Sequence, residues 1–149
     1  MKRVKTIRHT FVDQFPDKLE EGVLYVSIKF ASAAHRCCCG CSREVVTPIS
    51  PIDWALTFNG VSISLYPSIG NWNFPCRAHY WIKENRIEWA EQLSSKQIAM
   101  GQLQDRITQQ TYFSRRVTEK TATISSSSDN VTKNNRRSLW YKVKAFFDR

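Results

Sequence analysis

Apolar and polar positions alternate with a period of two through the middle of the chain. Residues 22–34, GVLYVSIKFASAA, open with Val23, Tyr25 and Ser27, followed by Ile28 and Phe30, and predict a strand. Glu44–Ile49, EVVTPI, predicts a second, short strand that stops near Pro48. WALTF and VSISLY flank Asn59-Gly60, the dipeptide that tolerates the two positive φ angles of a type I′ turn, so the pair predicts a β-hairpin. HYWI (79–82) and RIEW (86–89), joined by KEN, predict another hairpin with a longer loop. No helical periodicity is present between residues 22 and 90. The expected fold is therefore mostly β: five or six short strands in one sheet or a small sandwich, a small antiparallel domain built from hairpins.

The pattern changes after residue 90. Leu93, Ile98, Leu103 and Ile107 are set among good helix formers over 90–112, which predicts a helix weakened by Gly101. SSSSDNVTKNN (125–135) has the composition of a flexible linker. RRSLWYKVKAFFDR (136–149) would place Leu139, Val143 and Phe146 or Phe147 on one face of a basic amphipathic helix. Such a tail docks on a core, stays partly disordered, or meets a membrane surface or a partner. The expected organisation is a β domain over 1–92, a helix and connector over 93–124, the linker, and the tail.

Charge follows the same division. The chain of 149 residues carries +9, but residues 1–92 hold 11 Lys/Arg against 9 Asp/Glu, whereas 93–149 hold 11 against 4. The basic character belongs to the extension. The aromatic β region lacks the charge excess that binding a nucleic-acid backbone needs, so no specific nucleic-acid partner is expected for it. No run approaches the ~20 apolar residues of a membrane span, and MKRVKTIRHTFVDQFPDKLEEG has no apolar secretory core. The expected compartment is the cytoplasm, where thiols stay reduced.

That matters for HRCCCGCS (35–42), which holds four of the five cysteines. Cys37, Cys39 and Cys41 alternate, so in extended chain they share a face, while Cys38 points the other way. Gly40 allows a tight bend. About 35 residues on comes Cys76-Arg77-Ala78-His79. Short-spaced soft ligands on two segments are the arrangement of a structural zinc site. The expected Zn2+ ligands are Cys37, Cys39, Cys41 and Cys76, with Cys38 spare. His79 competes with Cys37 for a place, Cys38-x-x-Cys41 is an alternative pair, and His35 is a further candidate. The spacings of iron–sulfur proteins and the βαβ setting of a redox CxxC are absent.

If four thiolates complete the site, His79 is free for other work. Pro67-Ser68 is expected to end a strand, with Gly70, Asn71 and Asn73 in a loop that Pro75 stiffens before Cys76. Should that loop close on itself, Ser68 Oγ comes within reach of His79, the minimum for an activated hydroxyl nucleophile. Asp53 and Glu44 are candidates for an orienting carboxylate, and the Ile69-Gly70 turn for oxyanion donors. The plainer readings are a turn-capping Ser68 and a zinc-ligating His79. Trp54, Trp72, Trp81 and Trp89 are expected in core and rim packing.

The motif order HRCCCGCS, SPIDW, SISLYPSIGNWNFPCRAHYWIKENRIEW resembles a small zinc-binding bacterial family of unknown function, over roughly residues 20–92. Its members show a CxCGC-like element, Pro-x-Trp, Pro-Ser-Ile and Cys-x-Ser-His-aromatic. Here Cys38 replaces a residue that is usually not cysteine, and Ala78 replaces the usual serine. The family is found beside bacterial ubiquitin-like conjugation operons. The resemblance implies bound zinc and, as partners, a ubiquitin-like protein and the conjugation-pathway enzymes. Together with Ser68 and His79, it suggests a serine endopeptidase that trims a ubiquitin-like precursor. The alternatives are a non-catalytic zinc-binding adaptor docking a conjugation-pathway protein, or nucleic-acid or membrane-surface binding through the basic tail.

Overall fold

A computed structural model describes residues 2–120 of the chain; the expected linker and basic tail lie outside the described residues. Two units are distinguished, Met1–Gln102 and Leu103–Arg149. The first holds eight strands in two four-stranded sheets, ordered β1-β2-β3-β4 and β5-β6-β7-β8. The strands are β1 Arg8–Phe11, β2 Val23–Ser27, β3 Ser32–Arg36, β4 Glu44–Pro48, β5 Ala55–Phe58, β6 Ile63–Gly70, β7 His79–Lys83 and β8 Arg86–Trp89. The mostly β expectation holds, with more strands than the alternation revealed.

The added strands have local causes. The 22–34 run is two strands rather than one, because the chain reverses at Ile28–Ala31: Ala31 takes a positive φ of 46° and its amide donates to Ile28 O at 3.1 Å. β1 carries RHTF, with two half-buried and two exposed residues, too short to show a period. It pairs parallel to β2, a departure from the all-antiparallel expectation, with residues 12–22 supplying the crossover a parallel pair needs. Every other strand pair is antiparallel.

The two sheets share one core. Leu24, Val26, Ala33 and Val45 from the first meet Ile63, Leu65, Ile69, Tyr80, Ile82 and Ile87 from the second. The alternation of Ile63, Leu65 and then Ile69, and of Tyr80 and Ile82, points these side chains inward. Ile69 keeps the parity of Leu65, but Pro67 between them is exposed, because β6 slips against β7 between the Leu65↔Ile82 and Ile69↔Tyr80 rungs. This bulge admits Pro67 inside a strand. β6 therefore runs on through Pro67, Ser68, Ile69 and Gly70 instead of ending at Pro67. Ser68 sits on a strand, and Ile69-Gly70 are strand residues, not a turn.

The expected helix begins later and runs further than its pattern indicated. The helix α1 occupies 95–120. Its start is fixed by a capping box: Gln97 N donates to Ser94 Oγ at 3.3 Å, and Gln97 Oε1 accepts from Ser94 N at 2.9 Å. Among the described residues no helix is long and apolar enough to cross a membrane.

The Asn59-Gly60 hairpin forms between β5 and β6, but not with a two-residue type I′ turn. Phe58 pairs with Ile63, so residues 59–62 make a four-residue loop, and of the two only Gly60 has a positive φ (91°). Asn59 Oδ1 accepts from Val61 N at 3.0 Å, Ser62 N at 2.7 Å and Ser62 Oγ at 3.3 Å. The carboxamide, not left-handed backbone, is what Asn59 contributes. Asn59→Gly should therefore destabilise the domain by about 1 kcal/mol, the worth of the lost bonds, read from the urea midpoint. In a type I′ turn the same change would be neutral or stabilising.

Candidate functional site: a four-sulfur cluster beside a serine–histidine pair

The loop after β3 and the loop between β6 and β7 converge on one another. Cys37, Cys39 and Cys41 come from the first and Cys76 from the second, and all four sulfurs lie within 4.8 Å of each other. Measured contacts are 3.4 Å for Cys37–Cys39, 3.9 Å for Cys37–Cys76 and 3.7 Å for Cys41–Cys76. Four thiolates at about 2.3 Å from a tetrahedral zinc stand about 3.8 Å apart, so the donor set fits such an ion. The sulfurs of all five cysteines are free of disulfides.

Local backbone explains the convergence. Gly40 has φ 85°, its amide donates to Cys37 O at 3.1 Å, and a Cβ there would lie 2.8 Å from Lys2 O. The loop thus needs glycine both for its bend and for the N-terminal segment that crosses it. Cys37 N donates to Arg43 O at 2.7 Å, which closes the loop. In the second loop Arg77 takes φ 43° and donates to Phe74 O at 2.9 Å, turning Cys76 toward the other three.

The thiols are not alike. Burial pushes Cys37 and Cys39 upward. Cys41 is also raised by burial, but its bonds with the Arg43 backbone and the neighbouring thiols outweigh that and leave it low. Cys38 lies outside the cluster, fully buried in the core, with its thiol pushed up to about 12 by burial. His35 is also apart: it is completely buried, its Nε2 is 2.8 Å from Tyr80 Oη, and burial lowers its pKa to about 4, so it is a neutral core histidine.

His79 is not among the clustered ligands. It opens β7 and pairs with Gly70, and its Nε2 lies 2.9 Å from Ser68 Oγ. Its Nδ1 lies 2.9 Å from the main-chain oxygen of Glu91. A carbonyl only accepts, so Nδ1 carries the proton and Nε2 presents a lone pair to the serine hydroxyl. This is the tautomer a general base needs. The expected orienting carboxylate is replaced on Nδ1 by a backbone carbonyl: Asp53 accepts from Ser50 Oγ at 2.6 Å, and Glu44 lies exposed on β4. Ala90 N, next to Glu91, donates to His79 O at 3.0 Å, so residues 90–91 grip the histidine by main chain and ring together.

Two tryptophans flank the ring, with centroids 4.9 Å (Trp72) and 5.7 Å (Trp81) from that of His79. Trp72 reaches this position because Gly70 has no side chain: a Cβ there would stand 2.3 Å from the Trp72 ring. Two contributors had no sequence signal. Glu91 acts through an atom that every residue carries. Asn71 looked like one more loop residue, yet it is nearly buried and its Nδ2 lies 3.4 Å from Cys37 Sγ.

The β domain thus sets a four-cysteine cluster that could hold a metal ion beside a serine–histidine pair. The chain belongs to the BubE family, described as bacterial ubiquitination-like system serine protease, whose model matches residues 11–90. That span includes all four clustered cysteines, Ser68 and His79, and ends one residue before Glu91. No curated protein and no solved structure matches the chain.

The separation of the two groups sets an expectation for metal content. Wild type, Cys38→Ala and His79→Ala should each hold one metal ion per chain by elemental analysis, and Cys76→Ser should lose most of it. Loss from His79→Ala would make that histidine a ligand.

Proposed function

We propose that this chain is a zinc-stabilised serine endopeptidase that trims the C-terminal tail of the ubiquitin-like protein of its own conjugation system. The observation that carries this reading is the continuous chain Ser68 Oγ, His79 Nε2, His79 Nδ1, Glu91 O, with both gaps at 2.9 Å. In it Ser68 Oγ attacks the scissile carbonyl carbon as His79 Nε2 takes the hydroxyl proton. His79 then gives that proton to the leaving amine, and water hydrolyses the Ser68 ester by the same base.

Membership of a family of ubiquitination-like systems, described as serine protease, supports this reaction class. The oxyanion donor we assign is the Gly70 amide. Its neighbour Asn71 donates into β7 through Ala78 O at 2.9 Å, so by the alternation of a strand Gly70 N–H faces the opposite side. Zinc is the metal that suits four thiolates. Such a site stabilises loops and is a poor electrophile, so the metal holds Cys76, and with it the loop that ends at His79, rather than taking part in hydrolysis.

Ser68→Ala should keep its metal and its fold and lower cleavage of the ubiquitin-like precursor by about a thousandfold or more, read by intact mass. Glu91→Ala keeps the carbonyl and should retain activity within about threefold, as side-chain changes away from a site do. Tight precursor binding with no cleavage by wild type would instead make the chain a docking adaptor.

A further inference from the structure

The four-sulfur cluster and the serine–histidine pair share no residue, yet one side chain stands between them. Asn71 follows Gly70, the residue that pairs with His79. Its own amide donates to Ala78 O at 2.9 Å and its carbonyl accepts from Phe74 N at 3.0 Å. Asn71 thus joins both ends of the loop that carries Cys76. Its side-chain Nδ2 donates to Cys37 Sγ at 3.4 Å and to Tyr80 Oη at 3.3 Å. Both N–H groups of the amide therefore have a partner, one on the cluster and one on β7.

The rung it guards, Gly70↔His79, lies at the end of the β6–β7 ladder, and the ladder is already irregular between Leu65 and Ile69, which brackets Ser68. A strand end frays more easily than the interior of a sheet. A metal-bound thiolate is a charged acceptor, and N–H bonds to charged acceptors are about twice as strong as neutral ones. Groups that donate to a metal's ligands also fix the ligands' orientation.

We propose that Asn71 is a positioning residue: by bonding the Cys37 thiolate and Tyr80 Oη it fixes the Gly70–His79 rung, and with it the approach of Ser68 to His79, to the occupied metal site. This rests on the peptidase reading above. Asn71 touches no reacting atom. It transmits the geometry of the cluster to the serine through the strand end on which both depend.

The test uses full-length wild type and Asn71→Leu, which keeps bulk and removes both donors. Each is loaded to one Co2+ per chain with excess metal, then compared by visible absorption, by the rate at which a fluorophosphonate labels Ser68, and by kcat and KM on the precursor. Asn71→Leu should shift the sulfur-to-cobalt band. It should also lower the labelling rate and kcat by about tenfold or more, the usual size of losses among groups that bond metal ligands, with KM nearly unchanged. An unshifted band, or labelling at the wild-type rate, overturns the proposal. If Asn71→Leu does not fold, Tyr80→Phe removes the second anchor together with the partner of His35 Nε2; it should slow labelling several-fold, and a wild-type rate overturns the proposal. Wild type that neither labels nor cleaves refutes the peptidase reading itself, a different outcome from a labelled wild type matched by its variant.

Discussion

Four sulfur atoms within 4.8 Å of one another place a strong condition on this fold. As thiolates they repel, and as thiols in contact they gain little. A cation among them removes the conflict, and in doing so joins two loops that come from different sheets. The loop after β3 contributes three sulfurs and the loop between β6 and β7 the fourth. The second of these loops has Gly70 at one end and His79 at the other, so whatever fixes Cys76 limits where the histidine can be. Ser68, two residues before Gly70, is held on the same strand.

The histidine is then set by main chain more than by side chains. Ala90 N holds its carbonyl, Glu91 O holds Nδ1, and the Trp72 and Trp81 rings hold its faces. A carboxylate on Nδ1 would orient the ring and also stabilise the positive charge that forms on it. A carbonyl orients the ring and offers only a partial charge.

Much of this was legible in the chain. The spacing of Cys37, Cys39 and Cys41, with Cys76 far downstream, foretold one group of clustered sulfurs and left Cys38 over, because alternation in extended chain is a rule of geometry. The hairpins were readable from period-two runs on either side of Asn59-Gly60 and of KEN. Strand ends were less so: a proline at 67 reads as a stop, and only the slip between β6 and β7 turns it into an interior residue. The split at Ile28–Ala31 and the parallel β1 depend on tertiary pairing that no short window contains. Ser68 and His79 stood out as residue types, but their distance is a product of the register. Glu91 carried no signal at all, since its working atom is its carbonyl.

Ala78 shows how far the main chain can substitute for a side chain here. The resembling sequences place serine between the cysteine and the histidine, at the position this chain fills with a buried alanine. What Ala78 provides is its carbonyl, which accepts the Asn71 amide at 2.9 Å and closes the loop one residue before His79. A hydroxyl at that position would have to find a partner of its own within the core, or remain unpaired at a cost of about 1–3 kcal/mol. Alanine avoids that demand and leaves the closure intact. The constraint at this position is therefore on backbone path and on small size, and it leaves the Ser68–His79 contact on the neighbouring strands untouched.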